Sequence, residues 1–211
     1  RYGSSNIGNG QKINIEFVSA NPTGILHLGN ARGGAYGDSL ARIMKFCGFD
    51  VTSEYYINDL GSQITNLGLS IIARYKEICG LPSEMPENGY YGKEIIAIAQ
   101  KLYDEHKDTY LDKDLDYFKK LGTEEMVGHI FDDLKEYRIE YDVKTSEKAL
   151  SEKYDLKEVV NILNKNGYTY EKDGATWFKC SALFDDKDHV LIKEDGLSLI
   201  HISEPTRLAL I

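Results

Sequence analysis

Residues 12–57 run without interruption through an alternating β-branched segment, a turn cluster, a long amphipathic stretch and a second β-rich segment. Residues 12–18 (KINIEFV) alternate and are rich in Ile, Val and Phe, which predicts a strand. Ser19-Ala20-Asn21-Pro22-Thr23-Gly24 follows as a turn: proline fixes φ and removes a donor, and glycine permits a sharp bend. Residues 28–47 predict a helix with Ala31, Ala35, Leu40, Ile43, Met44 and Cys47 broadly on one face and Gly48 in the C-terminal cap position. Gly33, Gly34 and Gly37 each cost about 1 kcal/mol of helix propensity relative to alanine. Three so close together predict that the helix backbone closely approaches a neighbour. Residues 50–57 (DVTSEYYI) predict a second strand. Such a β–loop–α–β unit joins two parallel strands by a right-handed crossover, which places the chain in the α/β class.

Residues 61–78 predict a second helix, with Ile64, Leu67, Ile71, Tyr75 and Ile78 on one stripe. A loop over 80–92, holding Pro82, Pro86, Gly89 and Gly92, marks a boundary. Residues 93–141 are charged and helical in pattern, predicting two or three helices broken near Gly122. Residues 155–166 predict a helix stopped by Gly167. Segments 168–171 and 175–180 flank Lys172-Asp173-Gly174 as a hairpin, and 188–193 predicts one more strand. The parallel sheet is unfinished within these elements.

The chain opens on Arg1 and a polar lead-in, which reads as a cut through a longer protein. Residues 197–207 (LSLIHISEPTR) resemble the in-frame translation of a transposase adapter used in library preparation. Residues 197–211 are therefore read as an adapter-derived artefact and His201 is not a candidate. The net charge of −9 argues against a dedicated nucleic-acid-binding module, although a local basic patch can still meet phosphate. No apolar run is long enough to span a bilayer, and no signal peptide is evident. Cys47, Cys79 and Cys180 form no CxxC pair, which argues against zinc and suits reduced thiols in the cytoplasm.

In an open α/β sheet, ligands bind beyond the carboxyl ends of the strands. That position here holds His27-Leu28-Gly29-Asn30, at the start of the first helix. Helix N-termini offer free N–H groups and partial positive charge to phosphate, a histidine adds a donor, and Gly29 lets a flat ring approach the backbone. The physical reading is a nucleotide cradle; taken alone, these four residues more often mark a structural or surface histidine.

The longer string decides between them. Glu16-Phe17-Val18-Ser19-Ala20-Asn21-Pro22-Thr23-Gly24-Ile25-Leu26-His27-Leu28-Gly29-Asn30 closely resembles the first signature of arginyl-tRNA synthetases, whose core is the class I His-x-Gly-His motif. The similarity continues through Ala31-Arg32-Gly33-Gly34-Ala35-Tyr36-Gly37-Asp38 and resumes at Glu54-Tyr55-Tyr56-Ile57-Asn58-Asp59, Gly61, Gln63 and Ile64. It returns at Trp177-Phe178 and Asp185-Asp186-Lys187-Asp188.

The resemblance implies a Rossmann-like, parallel-sheet class I catalytic domain, incomplete here, with a largely helical connective insertion. It divides the chain into the end of a linker (1–11), the first half of the nucleotide-binding domain (12–80), the insertion (81–167) and a β element returning to the catalytic domain (168–196). It implies arginine contacts from Glu16, Ser19, Asn21, Asn58, Asp59 and Gln63, and ATP contacts from Thr23, Gly24, His27, Gly29 and Asn30. His27 and Asn30 carry the catalytic roles. A carboxylate such as Glu16 matches a guanidinium fork, and an asparagine offers donor and acceptor together. His27 would stabilise charge on the triphosphate in the transition state. Asn30 departs from the motif's second histidine: it can donate but cannot carry a full positive charge. Read without the family, Glu16 is an exposed strand residue, Asn21 a turn former, and Asn58 or Asp59 a helix cap. Arg32 and Arg42 are either phosphate contacts or surface residues.

The implied reaction is ATP-dependent formation of arginyl-adenylate and transfer to tRNA(Arg), with Mg2+ held mainly by phosphates and no protein-ligated metal. The family's second, Lys-Met-Ser-Lys-like ATP motif is not among these 211 residues, so the fragment alone is expected to be inactive. Two rival readings are a non-catalytic synthetase-like binding protein and another His-x-Gly-His adenylyltransferase.

Overall fold

The alternation at the front of the chain is realised as two parallel strands, β1 (Lys12–Glu16) and β2 (Asp50–Ile57), joined through helix α1 (Leu28–Phe46). The computed structural model describes residues 2–182 and 187–192, and the chain divides into two units, Arg1–Glu147 and Lys148–Ile211. In the first unit, α2 (Gly61–Ile78), α3 (Lys93–His106) and α4 (Leu115–Glu136) follow β2. A third parallel strand, β3 (Val143–Ser146), then pairs with β2, so the sheet order is β1-β2-β3. Neither β3 nor the short helix α5 (Glu147–Lys153) is foreseen from the sequence; β3 returns a strand to the sheet from within residues 81–167.

The first strand stops at Glu16 rather than running to residue 18, because Val18 (φ 66°) and Ser19 (φ 37°) leave the β region. Helix α1 also differs from its expected facing. Its buried residues are Gly34, Gly37 and Ala41, while Leu40 and Ile43 of the expected stripe are exposed. A Cβ at Gly37 would lie 2.2 Å from Phe17, and one at Gly34 2.7 Å from Ile139. The glycine side thus lies close against the side chains of Phe17, Val18 and Ile139, with Gly33 facing open space.

The expected break near Gly122 is absent: α4 runs through it, and the chain turns instead between α3 and α4, where Lys107 has φ 56°. Gly122 is a contact point. A Cβ there would sit 2.5 Å from Ile71 of α2. Around this crossing Leu67, Ile71, Tyr75, Ile95, Ile98, Phe118 and Met126 form a continuous buried core. Each such side chain contributes about 1.5–3 kcal/mol on burial.

In the second unit, α6 (Leu156–Lys165) lies between its Asp155 and Asn166 caps, and β4 (Thr169–Lys172), β5 (Ala175–Phe178) and β6 (His189–Ile192) form an antiparallel sheet. The hairpin turns at Asp173 and Gly174, both at positive φ, as a tight two-residue turn requires. Cys180 sits in a 3-10 turn, not in β5. Lys193 and residues 197–211 lie outside the described residues.

Candidate active site

The carboxyl ends of β1, β2 and β3 lie side by side, a row about 10 Å across at two strand spacings. Glu16 ends β1, Asn58 and Asp59 follow β2, and Ser146 ends β3. The loop after Glu16 carries most of the signature residues, and its backbone is unusual. Val18 and Ser19 are consecutive non-glycine residues at positive φ. Each such residue costs about 1–3 kcal/mol unless its surroundings enforce it.

Three hydrogen bonds enforce it. The Tyr56 amide, which would otherwise continue the ladder to β1, donates to Ser19 Oγ at 3.0 Å. The Tyr55 hydroxyl donates to the Ala20 carbonyl at 2.9 Å, and the Tyr141 hydroxyl donates to the Phe17 carbonyl at 3.1 Å. Burial pushes the Tyr55 hydroxyl up to about 12, and burial, then the neighbouring Tyr55, raises Tyr141 further. Both therefore stay protonated donors at neutral pH. Beyond this clamp, Asn21 Oδ1 accepts from Asn58 Nδ2 at 3.3 Å, and the Thr23 amide donates to the Asn21 carbonyl at 2.8 Å. Two residues predicted from separate stretches are thereby brought together.

His27 is the N-cap of α1. Its Nδ1 accepts from the amides of Gly29 (3.1 Å) and Asn30 (3.3 Å), and Asn30 Oδ1 accepts from the His27 amide at 3.1 Å. The amides of Gly29 and Asn30, at the exposed start of the helix, are thus engaged by the histidine ring. With Nδ1 accepting, the ring proton belongs on Nε2, which makes that atom the donor His27 offers. Gly29 has a correspondingly sharp role. A Cβ there would lie 2.9 Å from His27 Cε1, so the flat ring that approaches this backbone is the histidine's own.

At the end of β2, helix α2 is capped by Leu60 without a side-chain bond, so neither Asn58 nor Asp59 serves as its cap. Asp59 Oδ2 accepts instead from Ser146 Oγ at 2.6 Å. The adjacent Glu147 carboxyl is raised, first by burial and then by Asp59. On the sheet, the buried Glu54 carboxylate receives Asn14 Nδ2 at 2.5 Å and the Thr145 hydroxyl. Gln63 is exposed on the first turn of α2, and Gly24 lies between Thr23 and the exposed Ile25. Arg42 pairs with Asp38 at 2.7 Å and donates to the Arg138 carbonyl. Arg32 lines a shallow apolar pocket of about 520 Å³ with Leu28, Gly29, Ala31, Ala35 and Tyr137.

A family model described as tRNA synthetases class I (R), catalytic domain, matches residues 1–204. The chain belongs to this family. The match extends beyond Gly196 into the stretch set aside above. The arginine–tRNA ligase of Geobacillus kaustophilus (strain HTA426) is 50% identical over 199 residues, covering 92% of this chain and 36% of that protein. That of Bacillus subtilis (strain 168) is 47% identical with the same coverage. The chain thus spans 36% of the length of these relatives. A crystal structure from Campylobacter jejuni, assigned as an arginyl-tRNA synthetase, is 30% identical with a TM-score of 0.84, covering 98% of this chain and 46% of that one.

In this class I synthetase domain the described fold is the expected α/β parallel-sheet type. Tyr55 and Tyr141, which shape the signature loop, were not among the predicted site residues. Tyr55 stands within the recognised Glu-Tyr-Tyr string, but its role depends on a backbone conformation that no spacing announces. Asp185 and Asp186 lie outside the described residues. Asp188 accepts from Ser181 and Tyr170 within the second unit. Among the described residues no group of three or more His, Cys, Asp or Glu could hold a metal, and no helix is long and apolar enough to cross a membrane.

Proposed function

We propose that this chain is part of a cytoplasmic arginine–tRNA ligase and forms the side of its catalytic site that receives arginine and the ATP triphosphate. Arginine's carboxylate attacks the α-phosphorus of Mg-ATP, pyrophosphate leaves, and the arginyl group then passes from AMP to the terminal ribose of tRNA(Arg). Glu16 accepts from a cationic group of arginine, supported by Ser19, Asn21, Asn58, Asp59 and Gln63 along the same strand ends. His27 Nε2–H meets phosphate oxygens as charge develops, with Asn30, Gly29, Thr23 and Gly24 beside it. Mg2+ is held by the phosphates.

The observation that carries this reading is the Asn21–Asn58 hydrogen bond, which joins the first signature to the end of β2 at the edge where α/β folds bind ligands. The names of the relatives support arginine as the amino acid. The test is steady-state arginylation by the full-length ligase. Glu16→Gln should raise the KM for arginine by about 10–100-fold, as expected on losing a charged hydrogen bond, with the KM for ATP nearly constant. An unchanged KM for arginine, or equal changes for both substrates, would count against this assignment.

A further inference from the structure

We infer that Tyr55 and Tyr141 are positioning residues for the amino-acid side of the site: their hydroxyls clamp the left-handed Val18–Ser19 pair and so set how Glu16 and Asn21 are presented. This rests on the function proposed above. The clamp is symmetric about the strained pair. Tyr141 holds the carbonyl of Phe17, immediately before it, and Tyr55 holds the carbonyl of Ala20, immediately after it. Ser19 adds a third tie through the Tyr56 amide.

The pair is an improbable conformation for these residue types. Positive φ is unfavourable for any residue bearing a Cβ and worst for a β-branched one such as Val18. Without external ties the chain would relax toward the β region, and β1 would continue straight on. Glu16 and Asn21 stand on opposite sides of the pair, so relaxation would rotate one against the other. The donors are themselves fixed. Tyr55 is buried against Phe131, with ring centroids 4.9 Å apart, and meets Tyr141 edge-on at 5.2 Å. Tyr141 in turn packs on Phe17 at 4.7 Å. Phe17 is seated over Gly37, where a Cβ would collide with it. The hydroxyls thus project from a packed aromatic group, and their geometry passes directly to the loop.

His27 is held differently, by the capping box of α1. Loosening the clamp should therefore disturb arginine more than ATP. The experiment is arginylation kinetics of the full-length ligase with Tyr55→Phe and Tyr141→Phe, alongside melting temperatures. Each variant is expected to raise the KM for arginine about tenfold, with the KM for ATP within about twofold. Glycine adopts positive φ without steric cost, so adding Val18→Gly to Tyr141→Phe should bring the arginine KM back to within about threefold of wild type. An unchanged arginine KM in both phenylalanine variants, a parallel rise for arginine and ATP, or no recovery with Val18→Gly would overturn the inference. If the wild-type ligase fails to arginylate tRNA at all, it is the proposed function that falls.

Discussion

At the scale of single residues, the site is built from side chains that act on backbone. His27 closes the N-terminus of α1 on itself, and Asn30 completes the box. The substitution of asparagine for the motif's second histidine is therefore accommodated structurally: Asn30 supplies an acceptor to the His27 amide, which an imidazolium could not do. Gly29 makes the arrangement possible. Gly29→Ala would place a methyl against the imidazole and push the ring off the helix end, costing about 1 kcal/mol of capping and misdirecting Nε2. Arginylation kcat in the full-length ligase should fall by about tenfold or more, with only a small drop in melting temperature. Wild-type turnover by this variant would mean that the ring need not lie where the structure puts it.

At the scale of elements, the same residue type plays opposite parts within one helix. Gly122 of α4 faces Ile71 and Leu67, whereas Gly128 faces open space. Gly128→Ala should stabilise the domain by about 1 kcal/mol through helix propensity alone. Gly122→Ala gains the same propensity but forces a methyl into a filled contact at about 1–3 kcal/mol, so its net effect should be neutral to destabilising. Denaturant unfolding of the two variants checks this, and equal stabilisation would argue against close α2–α4 packing. The contrast also explains where sequence reading succeeds. Helices α2 and α6 and the β4–β5 hairpin carry strong periodicity, caps or turn residues, and they stand where those signals lie. Gly122 looked like a break because its cost in propensity is visible in the sequence, while its compensating contact with α2 is not. Strand β3 is four residues, Val-Lys-Thr-Ser, with no distinctive pattern; its extended state comes from pairing with β2. The apolar residues of α1 misled in the other direction, since the face that packs is marked by missing side chains at Gly34 and Gly37.

At the scale of the whole molecule, a parallel sheet aligns the ends of three strands, and each contributes a polar residue to one edge. Glu16, Asn21, His27, Asn58 and Asp59 are candidates because their spacing matches a long signature string, not because their chemistry is distinctive one residue at a time. What remained illegible was the conformation between them. A strand predicted to run through Val18 carries no hint that two tyrosines, both distant in sequence, hold a bend at Val18 and Ser19. The measurement that bears most directly on this reading is tRNA-dependent ATP–pyrophosphate exchange by the full-length protein, run separately with arginine and with other amino acids. Exchange with arginine, needing about 10–100-fold more arginine in Glu16→Gln and strongly reduced in Gly29→Ala, is the predicted result. Exchange supported equally by another amino acid, or by none, would contradict it.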